Sequence, residues 1–129
     1  MTTPHILLAA FAVVPMLFGT GAIASETAYT PAAFEAAQKA GKPILVHITA
    51  PWCTTCAAQK PILSKLEADP KFRDLQVFDV DFDSRKDVVK RFGATMQSTL
   101  ITYKGEKETG RSAGETKPEA ISSLLDKAI

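Results

Sequence analysis

The chain's two cysteines lie in the stretch Ala50-Pro51-Trp52-Cys53-Thr54-Thr55-Cys56, with two threonines between them. A short apolar run, Ile44-Leu45-Val46-His47-Ile48, leads into this stretch, and residues rich in Ala, Leu and Lys lead away. The pair therefore falls at a strand-to-helix junction. There the first cysteine meets unpaired backbone N–H groups and the positive end of the helix macrodipole. Both favour thiolate, the form that attacks disulfides. The second cysteine, three residues on, shares its helix face and is within reach to resolve a mixed disulfide. Spacing and placement together favour a redox dithiol, although a bare C-x-x-C serves metal sites equally well.

A chain of 129 residues has room for one domain. Its 46% apolar content suits a globular protein able to bury its own core. A formal net charge of +1, with Lys and Arg scattered, argues against nucleic acid or a charged surface as the main partner. Two cysteines cannot form a disulfide scaffold. Residues 1–24 differ from the rest. Ile6 to Phe18 is uncharged and almost wholly apolar, and Ala22-Ile23-Ala24 offers small residues at signal-peptidase spacing before Ser25. A cleaved signal peptide at 1–24 is the expectation, leaving one domain at 25–129 and exporting it to an oxidising compartment. The competing reading is a membrane anchor, but the run is shorter than the ~20 residues a span needs and contains Pro15. Membrane contact is expected only through an uncleaved leader.

From Ser25 onward helix and strand signals alternate. Thr30-Pro31 opens a helix over Ala32 to Ala40 that stops at Gly41, and Ile44 to Thr49 reads as a strand. Cys53 to Ala68 is a long helix with Pro61 inside it, stopped by Asp69-Pro70. Leu75 to Phe82 alternates as a strand, with Val77, Asp79, Asp81 and Asp83 on one side and Phe78, Val80 and Phe82 on the other. Ser84 is the expected cap of a helix running to Phe92. Thr99 to Tyr103 and Lys107 to Arg111 form a hairpin. A capping box, Thr116-Lys117-Pro118-Glu119, opens a last helix expected to bury Ile121, Leu124, Leu125 and Ile129. The order α-β-α-β-α-β-β-α predicts an α/β fold with parallel strands and an antiparallel edge.

From about Tyr29 to Ile129 the chain resembles the thioredoxin family. The resemblance rests on Trp52-Cys53-Thr54-Thr55-Cys56, on Pro61 eight places after the first cysteine, on Phe92-Gly93, on Thr99 to Gly105 and on Gly114. It implies a thioredoxin-like fold, a central mixed sheet of about four strands flanked by helices. It also implies a thiol–disulfide oxidoreductase with a Cys53–Cys56 disulfide, Cys53 being the exposed nucleophile and Cys56 the resolving thiol. Trp52, Ser98, Thr99 and Gly114 would line the substrate groove. Expected partners are protein thiol or disulfide substrates and a redox partner protein, with no cofactor beyond the chain's own disulfide, and a monomer is expected. The leader ahead of the module is similar to that of periplasmic thioredoxin-like proteins.

The chain departs from the family's pattern at two places. Where the family has a cis-proline before the hairpin threonine, this chain has Ser98. A cis bond before a non-proline residue costs about 2.5–4 kcal/mol, so the loop either rests trans or holds a strained bond. Where thioredoxin proper carries a buried Asp, six residues before the first cysteine, this chain has His47. Imidazole there is either a proton acceptor for the resolving thiol or a core histidine satisfied by one hydrogen bond. The acidic row Asp79, Asp81 and Asp83 reads as solvent-facing, since it lacks the Gly and Glu of a calcium loop. The alternative function is copper or zinc handling through Cys53 and Cys56, with His47 or Ser98 nearby. Two thiolates make an incomplete zinc site, and no dedicated metal site is expected.

Overall fold

The computed structural model describes residues 24–129. The leader expected at 1–24 thus lies outside the described residues, apart from Ala24. The elements are β1 (Ser25–Ala28), α1 (Pro31–Lys39), β2 (Pro43–Thr49), α2 (Thr54–Glu67), β3 (Gln76–Asp81), α3 (Lys86–Arg91), β4 (Thr99–Lys104), β5 (Lys107–Ala113) and α4 (Pro118–Asp126). A single 3-10 turn, Pro70–Phe72, follows α2. Strand order across the sheet is β1-β3-β2-β4-β5. The first three are parallel, and the β4–β5 hairpin closes the sheet antiparallel. This is the mixed sheet expected, with one strand more than the sequence pattern displays. β1 reads Ser-Glu-Thr-Ala and is mostly exposed, so it has no apolar alternation to betray it. It is an edge strand recruited through its backbone, parallel to β3.

Local chemistry explains the boundaries. Thr30 Oγ1 accepts from the Ala33 N–H at 3.2 Å, Pro31 takes the first helical position, and Gly41 leaves the helix at φ 68°. β2 is buried nearly end to end because helices cover both sheet faces. α2 continues through Pro61, whose missing N–H leaves the Ala57 carbonyl without its helical donor.

Three expectations are corrected. Ser84 does not cap α3; its N–H and Oγ–H both donate to Asp81 Oδ1 at 2.8 Å, which uses the hydroxyl in the turn, and the helix starts later behind Arg85. The Thr116–Glu119 capping box does not form. Glu115 Oε1 accepts the Thr116 and Lys117 N–H groups at 2.9 and 2.8 Å instead, and α4 starts at Pro118. Because α4 ends at Asp126, the helical period fails beyond it, so Ile129 is exposed and Ala128 is buried.

Two apolar layers sandwich the sheet. One holds Phe34, Val46, Ile48, Phe78 and Phe92 beneath α1 and α3, with Phe34 in edge-to-face contact with Phe78 and Phe92 at 5.7 and 5.3 Å. The other holds Leu45, Leu63, Val77, Leu100, Ile121 and Leu125 beneath α2 and α4. The topology then gathers three segments at one end of the sheet. β2 ends at Thr49 and feeds the cysteine turn. β4 runs antiparallel, so Thr99 at its start lies opposite Ile48, and Ala113 at the end of β5 lies opposite Thr99. The loop before Thr99 and the loop after Ala113 therefore converge with the turn that carries the cysteines.

Candidate active site

Cys53 occupies the N-cap of α2, where its Sγ accepts the Cys56 N–H at 3.0 Å. The two cysteines are joined as a disulfide, with Cα atoms 5.2 Å apart. Helix geometry accounts for this: one turn separates the residues, and the first side chain folds back over the orphan N–H groups. The same N–H and the helix dipole would stabilise a Cys53 thiolate once the bond is reduced. Both cysteines are covered, at 4% and 1% exposure, against Ala50 and Phe82. Cys53 is thus not the exposed residue the resemblance implied. Burial in the turn leaves an incoming sulfur only the small uncovered part of Cys53 to meet. The exposed residue is Trp52, at 58%, and its indole N–H is fixed by Asp83 Oδ2 at 2.6 Å.

Ser98 and Gly114 meet through the backbone. Gly114, in left-handed conformation at φ 73°, donates its N–H to the Ser98 carbonyl at 3.1 Å. Thr99 is buried, and its hydroxyl donates to the Met96 carbonyl at 2.7 Å. No cis peptide bond occurs among the described residues, so the Gln97–Ser98 bond is trans. Ser98 instead adopts φ 60°, a left-handed conformation that costs a non-glycine residue about 1–2 kcal/mol.

His47 lies beneath this group, 3% exposed, on the β2 face that packs under α2. Its Nε2 is 3.2 Å from Gln59 Oε1 and its Nδ1 is 3.2 Å from Asp79 Oδ1. Asp79 corrects the solvent-facing reading of the acidic row. Parallel register sets it directly beside His47, and that pairing turns it toward the ring. Burial pushes the Asp79 carboxyl up, but hydrogen bonds with His47 and Glu26 outweigh it and hold the group below the usual carboxylate range. Glu26 on β1 is pushed up to about 7, first by its hydrogen bond to Asp79 and then by that neighbour's charge. Burial raises Glu67 on α2, with Asp79 adding to it. A cavity of about 70 Å³ is bordered by Glu26, His47, Lys60, Ser64 and Asp79.

Gln59 was not singled out in the sequence, yet it is fully buried on α2. Its Nε2 donates to the carbonyls of Ser98 and Glu115 at 3.1 and 2.9 Å. Its signal was a polar residue at the position after Cys56 and before Leu63 on the helix's inward face. Among the described residues no three His, Cys, Asp or Glu side chains gather as metal ligands. His47, which with Ser98 stood near the cysteines in the metal reading, has both ring nitrogens facing oxygen partners.

The thioredoxin family model matches residues 25–127. This chain belongs to the thioredoxin family. Thioredoxin H-type from Brassica campestris is 33% identical over 91 residues, 70% of this chain and 72% of the relative. Among solved structures, Trxlp from Edwardsiella tarda EIB202 aligns with a TM-score of 0.76 at 45% identity, covering 79% of this chain and 98% of that one. Thioredoxin NaTrxh from Nicotiana alata, at 24% identity and a TM-score of 0.71, shares the fold over 82% of this chain and 94% of its own. Like its thioredoxin relatives, the chain is a thiol–disulfide oxidoreductase, and its disulfide-forming pair is Cys53 and Cys56. Protein disulfides and reductase partners are the class of molecule with which thioredoxins exchange electrons.

Proposed function

We propose that this thioredoxin works on the reducing or electron-carrying side, donating two electrons from the Cys53–Cys56 dithiol to protein disulfides. The observation that carries the exchange chemistry is the Cys56 N–H aimed at Cys53 Sγ at the start of α2, which favours thiolate on Cys53 and thiol on Cys56. The reducing direction is supported by the element order, which among the described residues holds no inserted helical domain to clamp an unfolded substrate. The Cys53 thiolate attacks one sulfur of the substrate disulfide and forms a mixed disulfide, releasing the other sulfur as thiolate. Cys56 then loses its proton, attacks Cys53 Sγ and releases the second substrate sulfur. The two released thiolates take up protons, so one substrate disulfide becomes two thiols while the dithiol becomes a disulfide. In this reading His47, the imidazole buried on the β2 face under α2 with its nitrogens toward Gln59 and Asp79, is the proposed acceptor for the proton of this second step, and Trp52, Ser98, Thr99 and Gly114 form the groove for the substrate chain.

Export to the periplasm after removal of residues 1–24 belongs to the same reading. It is supported by the apolar run that stops short of β1, the first strand of the domain, at Ser25. An oxidising compartment then requires a redox partner protein to return the pair to the dithiol. The test is trapping. Cys56→Ser should accumulate mixed disulfides with substrates whereas Cys53→Ser should not, and the wild-type couple should equilibrate at a potential below that of glutathione. Trapping by Cys53→Ser, or a potential above glutathione, would refute the assignment. Fractionation with N-terminal sequencing should find Ser25 as the first residue of the exported form.

A further inference from the structure

Gln59 has no role in the exchange chemistry described above, yet among the described residues its side chain hydrogen-bonds to all three segments around the dithiol. Its amide reaches β2 through His47, the loop before β4 through the Ser98 carbonyl, and the loop after β5 through the Glu115 carbonyl. Backbone carbonyls only accept hydrogen bonds. Two of them lie within 3.1 and 2.9 Å of one end of the amide, so that end must be the NH2 group. A flipped amide would set oxygen against oxygen twice. Gln59 Oε1 therefore faces His47, and an amide oxygen can only accept, so His47 Nε2 must carry hydrogen. The remaining ring nitrogen, Nδ1, faces the Asp79 carboxyl at 3.2 Å.

We propose that Gln59 is a positioning residue of the redox site: it holds the hydrogen on His47 Nε2 and so fixes the orientation of the ring against Asp79, and it pins the Ser98 and Glu115 carbonyls to the helix that carries the cysteines. The inference rests on the reductase reading given above. The charged groups around the ring fit this assignment. Asp79 from β3 faces Nδ1, Glu26 from β1 and Lys60 from α2 border the same small cavity as His47 and Asp79, and Glu67 from α2 feels the charges of Asp79 and His47. The Nε2 side meets a neutral amide. Ser98 holds a left-handed backbone that a serine rarely adopts, and its carbonyl is fixed by two donors, Gln59 Nε2 and the Gly114 N–H. Loss of one donor loosens the groove where its conformation is least favoured intrinsically.

Two measurements test the proposal. The first uses the wild-type protein with 15N-labelled histidine: two-dimensional 15N–1H spectra should show hydrogen on Nε2 of His47 across the pH range in which the protein is folded. A bare Nε2 overturns the proposal. The second compares Gln59→Leu with Gln59→Glu in the reduction of a disulfide peptide. Gln59→Glu keeps an acceptor for His47 and should retain the Nε2–H signature, but it deprives two carbonyls of their donor and should raise KM at least fivefold. Gln59→Leu should release the tautomer lock as well, giving a mixed ring signal and a fall in kcat alongside the KM effect. If both variants keep the wild-type signature with KM and kcat within twofold, Gln59 is packing alone and the proposal fails. A wild-type protein that reduces no disulfide would sink the reductase reading instead, and the histidine spectrum would still decide the role of Gln59.

Discussion

Glu26 couples the edge of the sheet to the polar group beneath the dithiol, and its ionisation makes stability fall as pH rises. Its carboxyl is raised from 4.5 to about 7, so the folded protein holds this proton more tightly than the unfolded chain does. The contribution is complete below pH 4.5 and is lost as pH rises through about 7. At 1.36 kcal/mol per pH unit, the gap between those values sets a ceiling of about 3.4 kcal/mol. Glu26 is exposed on an edge strand, and solvent screening of such a group leaves about 1 kcal/mol. Glutamine at this position keeps a donor for Asp79 and cannot ionise. Urea denaturation of wild type and Glu26→Gln at pH 5 and pH 8 isolates the effect, because titrating groups that do not interact with Glu26 cancel in the double difference, leaving Glu26 and the Asp79 and Glu67 carboxyls it interacts with. Wild type should lose about 1 kcal/mol more than the variant between pH 5 and pH 8. A double difference of zero, or of opposite sign, would refute the linkage between Glu26 and Asp79.

Two further perturbations have signs fixed by geometry. A Cβ at Gly110 would meet Leu124 Cδ1 at 2.8 Å and Lys127 Cδ at 3.2 Å, so Gly110→Ala should cost about 1 kcal/mol in urea denaturation by forcing the buried Leu124 side chain out of its packing; an unchanged midpoint would mean that the two side chains swing clear freely. Ser98→Gly should raise the melting temperature, because glycine tolerates φ 60°, whereas Ser98→Pro should lower it, since the proline ring demands φ near −65°. The reverse ranking would show that the loop before β4 reaches the proline-compatible conformation at little cost.

The fold was legible wherever burial imposed a period. Ile44 to Ile48, the alternation through Phe78, Val80 and Phe82, and the spacing of Ile121, Leu124 and Leu125 all face cores, and each predicts its element. β1 has no such face. Its Ser-Glu-Thr-Ala carries nothing that repeats, and only the partner strand β3 makes it a strand. Helix caps failed for a related reason. Ser84 and Thr116 are chemically able to cap, but Asp81 and Glu115 compete as acceptors for the same turns, and a sequence does not say which oxygen wins.

The dithiol was legible because helix-start chemistry is local and its residues are contiguous. What surrounds it is assembled by strand register instead. His47 and Asp79 are far apart in the chain, and each alone admits a bland reading: a core histidine and an acid near a strand end. Only the parallel alignment of β2 with β3 makes them neighbours. Gln59 meets both loops for the same reason, since Ser98 and Glu115 reach α2 through the antiparallel return of β4 and β5. One clue was nonetheless present. His47 interrupts an apolar strand and Gln59 the inward face of a helix, and two buried polar interruptions in adjoining elements require each other, because each needs a partner that neither water nor its apolar neighbours can supply. Pairing such interruptions across elements predicts the contact before the register is known. In this chain it points to the atoms, His47 Nε2 and Gln59 Oε1, that join the sheet to the helix bearing the redox pair.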